Sequence, residues 1–130
     1  MTTILLVEDE DLNRTLVKAV LARADVAAVR EAAVVDAPTL AAAREKLGAE
    51  NVDLILLDMN LPDGNGLNLA RELATGGMPG GRRKPAVVVV TASVLPQDRA
   101  AAIEAGCDGF LDKPYAAADL VATVARHLPS

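Results

Sequence analysis

The sequence predicts an α/β fold, a single five-stranded parallel sheet with five helices spread over both faces. Three observations carry this. Short apolar runs recur, among them Ile4–Val7, Val52–Leu57 and Ala86–Val90, with almost no polar residue inside them. Strands covered on both faces read this way. The stretches between the runs carry apolar residues at helical spacing. The links are short, so strand and helix alternate five times, which implies parallel pairing through right-handed crossovers.

The first strand, Ile4–Val7, stops at four consecutive acids, Glu8 to Asp11. A helix follows with Leu12, Leu16, Val17, Val20 and Leu21 on one face, its acids favoured by the positive end of the helix dipole. A second strand is expected near Ala32–Val35. Asp36 and Pro38 then open a helix carrying Leu40, Ala43 and Leu47, which Gly48 closes. The third strand ends at Asp58 and runs into Pro62, Gly64 and Gly66. Its helix begins near Gly66, with Leu67, Ala70, Leu73 and Ala74 inward. The segment 76–85, rich in glycine and basic residues, reads as a loop. The fourth strand, Ala86–Val90, ends at Thr91, and Pro96 suits the first turn of a helix that runs to Ala105 and stops at Gly106. A short fifth strand near Gly109–Leu111 ends at Asp112-Lys113-Pro114, and the last helix carries Leu120, Val121, Val124 and Leu128.

At 130 residues the chain has the size of one ordinary domain, expected to span 1–130. Apolar residues make up 52% of it and aromatics only 2%, so the core must be built from Ala, Val and Leu, and stacking on bases or flavins is disfavoured. A net charge of −5 argues against a nucleic-acid surface. The single cysteine, Cys107, excludes an internal disulfide and fits a reducing cytoplasm. No apolar run reaches membrane-spanning length. A soluble cytoplasmic protein is expected, with Cys107 a small buried filler and His127 a surface residue.

In a sheet of this kind every strand-to-helix turn lies on one edge, where ligands bind. The polar groups at those turns are Glu8, Asp9, Asp58, Thr91 and Lys113. Three carboxylates brought together repel unless a cation joins them. An all-oxygen set without His or Cys suits a hard ion, Mg²⁺. Zinc is disfavoured, and Ser-His or Cys-His chemistry lacks its base. A carboxylate at the centre with a metal, a hydroxyl and an ammonium around it matches phosphoryl transfer onto Asp58, with charge neutralised by the metal, Thr91 and Lys113.

The stretches Val7-Glu8-Asp9-Glu10, Leu57 to Gly66, Val90-Thr91-Ala92 and Ala105 to Pro114 resemble, in order and spacing, the receiver domain of bacterial two-component response regulators. The resemblance covers nearly the whole chain. It implies a flavodoxin-like fold with strand order 2-1-3-4-5. It also implies that Asp58 takes phosphate from a phosphohistidine on a histidine kinase or histidine phosphotransfer protein. Glu8, Asp9 and Asp58 would hold Mg²⁺ with the Met59 backbone carbonyl. Thr91 and Phe110 match the switch pair: the hydroxyl moves to the phosphoryl group and the ring turns inward behind it. Lys113 matches the phosphate-contacting lysine, with a cis bond to Pro114. Asn60 and Ser93 occupy positions that tune phosphate lifetime. The output face, through which a downstream protein is engaged, is the fourth helix, fifth strand and fifth helix, roughly 96–127. Such a protein is a self-phosphorylating and self-dephosphorylating switch rather than a turnover enzyme.

One domain uses up the chain, so the expectation is a stand-alone signalling protein; the alternative is a receiver taken from a hybrid kinase or a longer response regulator. An aspartyl-phosphate phosphohydrolase would need an acid two residues after the nucleophile, where Asn60 stands. A nucleotide or flavin binder would need glycines at the first turn, which holds acids instead. An inert docking module would lack Asp58 or Lys113, and both are present. The loop 76–85 is long and basic for the family, but it joins a helix to a strand at the edge opposite Asp58. No catalytic part is expected of it, and Arg82-Arg83-Lys84 reads as solvated.

Overall fold

The computed structural model describes residues 2–76, 78, 83–92 and 95–128. Five parallel strands form the main sheet: β1 (Thr3–Val7), β2 (Ala33–Ala37), β3 (Leu54–Asp58), β6 (Ala86–Thr91) and β7 (Gly109–Asp112). Their spatial order is β2-β1-β3-β6-β7, the expected 2-1-3-4-5 when the strands of this sheet alone are counted. The labels β4 (Asn60–Leu61) and β5 (Gly64–Asn65) belong to a small antiparallel hairpin directly after β3. The expectations did not include it, because Pro62-Asp63-Gly64 reads as a plain turn. Among the described residues there are six helices: α1 (Asp11–Ala22), α2 (Ala27–Arg30), α3 (Leu40–Ala49), α4 (Leu67–Gly76), α5 (Pro96–Glu104) and α6 (Ala117–His127). The one beyond the expected five is α2, a single turn whose Val29 is buried.

Successive side chains of a strand point to opposite faces, and each face has its own core. Leu5, Val7, Ile55, Leu57, Val87 and Val89 meet α3, α4 and α5 on one side. Ile4, Leu6, Leu54, Leu56, Val88 and Val90 meet α1, α2 and α6 on the other. This is why the strands are apolar at every position. A buried aliphatic side chain contributes roughly 1.5–3 kcal/mol, so two such layers hold the sheet with only Phe110 and Tyr115 as aromatic residues packed against them.

Three local readings differ from expectation. On α1, Val17 and Leu21 are buried, but Leu12 is 68% and Leu16 is 53% exposed. These two sit in the turns nearest the strand tip, where the helix has only begun to cover the sheet. On α4 the buried set is Leu67, Leu69, Ala70 and Leu73, while Ala74 is exposed. Asp36 lies within β2, one residue before its end at Ala37, rather than opening a helix; α3 is capped by Thr39, whose Oγ1 accepts from the Ala42 N–H, and runs through Gly48 to Ala49. A second cap, a carboxylate, comes from outside the helix: Asp63 accepts from the N–H groups of Leu40 (2.9 Å) and Ala41 (3.0 Å).

The edge opposite the turns is tied by ion pairs, Arg83–Asp53 at 3.3 Å and Lys84–Asp108 at 3.8 Å. The basic residues after α4 that are described are therefore paired rather than merely solvated. His127 is half-buried there, not a free surface group. Its Nδ1 lies 2.9 Å from the Thr123 carbonyl and its Nε2 3.2 Å from the Asp108 carbonyl. Cys107 is half-buried against the core, and its thiol is pushed up to about 11 by burial and then by Asp108.

Candidate functional site

Strands β1 and β3 are neighbours with Val7 opposite Leu57, so the residues that follow each, Glu8 and Asp58, stand side by side. Alternation places both in line with Leu6 and Leu56, on the α1 and α6 side of the sheet. Glu8 is 5% and Asp58 8% exposed, unusual burial for carboxylates. Asp9 is exposed beside them, and carboxylate oxygens of all three residues lie within 4.8 Å of one another. Lys113 arrives from the end of β7 with Nζ 3.5 Å from Glu8 Oε2 and 3.6 Å from Asp58 Oδ2. Its backbone N–H donates to the Thr91 carbonyl at 2.7 Å, which fixes the tip of β7 to the tip of β6. The Lys113–Pro114 peptide is cis.

The electrostatics show a group short of positive charge. Burial pushes Asp58 up to about 6, and Glu8 adds to the rise; the Asn60 N–H, which donates to Asp58 Oδ1 at 3.2 Å, and the Lys113 ammonium oppose it. Burial acts against the charge on Lys113, but Asp58 and Glu8 together outweigh it and its pKa is raised. One ammonium thus faces three carboxylates. Oxygen donors crowded in this way fit a hard divalent cation with a few protein ligands.

A cavity of about 540 Å³ opens beside these carboxylates and runs between α1 and the start of α6, walled by Val17, Val20, Leu56, Val90 and Leu120. The polar end belongs to Glu8, Asp58, Asn13 and Lys113.

The sequence profile of the response regulator receiver domain matches residues 4–125. The chain belongs to the response regulator receiver family. This receiver is 36% identical to the KDP operon transcriptional regulatory protein KdpE of Escherichia coli (strain K12) over 94% of the chain and 49% of that protein. It spans about half the length of the curated relatives it matches. Chemotaxis protein CheY4 of Vibrio cholerae superposes with a TM-score of 0.82 over 98% of this chain and 99% of that one; at 22% identity the likeness is one of fold. The receiver domain of sensor histidine kinase PA1611 from Pseudomonas aeruginosa PAO1 is 29% identical, with a TM-score of 0.79 over 99% of this chain and 98% of that one. That domain has a magnesium ion coordinated in its active site cleft.

The remaining expected residues of this receiver take the following places. The Met59 side chain is buried in the core, while its backbone carbonyl accepts from the Gly66 N–H at 2.8 Å. A carbonyl has a second lone pair, so that bond leaves an acceptor site on the oxygen. Asn60 is exposed in the hairpin. Thr91 is buried at the tip of β6. Phe110 is half-buried and packs against the core on the α3, α4 and α5 side; its register partner is Val89, two positions before Thr91 on β6. Ser93 lies outside the described residues.

Some residues that shape the site were not singled out for it in the sequence. Arg14 donates from Nη1 to the Glu8 backbone carbonyl at 2.7 Å and also pairs with Asp11. Asn13 Nδ2 reaches Glu8 Oε1 at 3.4 Å. The helical offsets from Glu8 to Asn13 and Arg14 are the signal that would have found them, since the first turn of α1 folds back over the β1 tip. Arg99 of α5 places its guanidinium 4.5 Å from the Phe110 ring centroid. Nothing local in the sequence marks that contact.

Proposed function

We propose that this receiver, one unit over residues 1–130, accepts a phosphoryl group on Asp58 from a phosphohistidine in an Mg²⁺-dependent reaction. The surface of α5, β7 and α6 would then pass the change to a downstream protein. One juxtaposition supports this above all: the Lys113 ammonium lies within 3.6 Å of both Asp58 and Glu8, inside a group of three carboxylates. An Asp58 oxygen attacks phosphorus, the P–N bond breaks, and the imidazole nitrogen keeps the electron pair and takes up a proton. Lys113 neutralises one phosphoryl oxygen and the Thr91 hydroxyl donates to another, so the residues work mainly by position and charge. Held by Glu8, Asp9, Asp58 and the Met59 carbonyl, Mg²⁺ would supply the positive charge that the cluster lacks. Asn60 and Ser93 would set how fast water removes the group.

The donor is a histidine kinase or a histidine phosphotransfer protein, in the cytoplasm, with no direct contact to nucleic acid or membrane. Among the described residues no helix is long and apolar enough to cross a membrane. Intact mass after exposure to acetyl phosphate or phosphoramidate tests the acceptor. The wild type with Mg²⁺ gains one phosphoryl group; Asp58→Asn gains none, and neither does the wild type in EDTA. Equal labelling of Asp58→Asn removes Asp58 from the role. That the signal leaves through a separate protein is part of the same proposal. The size of the native polypeptide in its own cells tests it: a chain near 13.5 kDa supports it, and a longer one carrying an output domain overturns it.

A further inference from the structure

We infer that Arg99 is a positioning residue that latches the Phe110 ring in its present place beside α5 and so sets how readily the receiver switches. The inference rests on the phosphoacceptor reading above and adds a residue to it. Arg99 makes two contacts with one guanidinium. Its central carbon lies 4.5 Å from the Phe110 ring centroid, and Nη2 pairs with Asp112 Oδ2 at 2.5 Å. The other Asp112 oxygen, Oδ1, is buried with no hydrogen-bond partner among the described residues. Arg99 is therefore the cation that compensates this carboxylate, and Asp112 in turn holds the guanidinium over the ring.

Position makes the contact consequential. Phe110 and Asp112 flank Leu111 on β7; Asp112 is the register partner of Thr91, and Lys113 comes next. Phe110 and Asp112 stand two apart and so share one face of β7; Arg99 of α5 holds both from that face, directly before the lysine. A phenylalanine has no hydroxyl with which to hydrogen-bond at the surface, so the ring face is the feature a polar neighbour can hold. Turning that ring toward Thr91 takes it off the guanidinium. A cation over an aromatic face at an exposed site shifts such an equilibrium by about 2- to 5-fold.

The chain contains a single phenylalanine, so ¹³C-phenylalanine labelling gives one ring to follow by NMR. The inward ring is read by nuclear Overhauser contacts to the Thr91 methyl, which needs no phosphoryl group. Arg99→Gln keeps the stem and removes the charge; it is expected to raise the inward population about 2- to 5-fold and to speed labelling by phosphoramidate to a similar degree. Arg99→Lys keeps a cation and is expected to stay near the wild type. An unchanged ring in Arg99→Gln overturns the latch, as does a full shift in both variants. Failure of the parent reading shows separately, as a wild type that gains no mass from phosphoramidate while its ring still responds to Arg99→Gln.

Discussion

A β-carbon on Gly66 would stand 2.1 Å from the backbone carbonyl oxygen of Asp58. The hairpin of β4 and β5 brings the chain back against the very residue that ends β3, and the Gly66 N–H bonds to the Met59 carbonyl next to it. The obstacle is backbone, not the end of a flexible side chain. Relief of a Gly66→Ala clash therefore has to move Asp58 or the start of α4. Overpacking of this kind costs about 1–3 kcal/mol. We predict that loss in urea unfolding, together with slower labelling of Asp58, because the acceptor itself shifts.

Asp58 links stability to pH in a defined direction. Its folded pKa is raised to about 6 from the ordinary aspartate value of 3.8, so the folded state holds the proton more tightly than the unfolded chain does. The stabilisation from the protonated form is complete below about 4 and is lost as pH rises through about 6. Asp58→Asn removes that loss. With allowance for solvent screening, we predict a gain of roughly 1–2 kcal/mol at pH 7 without Mg²⁺, and no gain near pH 3.5. Calorimetry of both proteins at the two pH values checks it; a variant less stable than the wild type at pH 7 would contradict the sign.

Mg²⁺ should raise the melting temperature of the wild type in a concentration-dependent way, since a ligand of the folded state alone stabilises it by mass action. Asp9→Asn should remove most of that rise. Arg14 holds the Glu8 carbonyl at 2.7 Å without being a ligand itself. Groups that orient metal ligands typically change affinity by about 10- to 100-fold, so Arg14→Ala should weaken Mg²⁺ within that range in a thermal titration. An Arg14→Ala titration that overlays the wild type would show that the arginine has no part in orienting the metal ligands.

Lys113→Gln should slow labelling of Asp58 by about 10²- to 10³-fold, the scale seen when one donor to a developing charge is removed. The same change takes away a cation that lowers the Asp58 pKa, so Asp58 should titrate higher than in the wild type. Carbonyl ¹³C shifts of labelled aspartate read the titration, and mass labelling reads the rate.

The sequence disclosed the fold to the extent that burial dictates it. Runs such as Leu54 to Leu57 are apolar at every position because both faces of β3 are covered, and that pattern needs no coordinates. It also disclosed which residues meet at the strand tips, because parallel topology sends every turn to one edge. What stayed hidden depends on distances between segments far apart in the chain. Gly66 reads as a helix start, and only the folded hairpin shows what a side chain there would strike. Asp63 reads as a turn residue, yet it caps α3, twenty-three residues earlier. Leu12 and Leu16 fit a helical stripe as well as Val17 and Leu21 do, but periodicity does not say where along a helix the sheet stops.

The connection between α4 and β6 leaves at Gly76 and returns at Ala86, at the foot of the strands. The six residues of β6, at about 3.3 Å each, separate that foot from the Asp58 edge by about 20 Å. A reporter peptide joined between Gly76 and Ala86 would therefore stand about 20 Å from Asp58, at the far end of the sheet from the carboxylates.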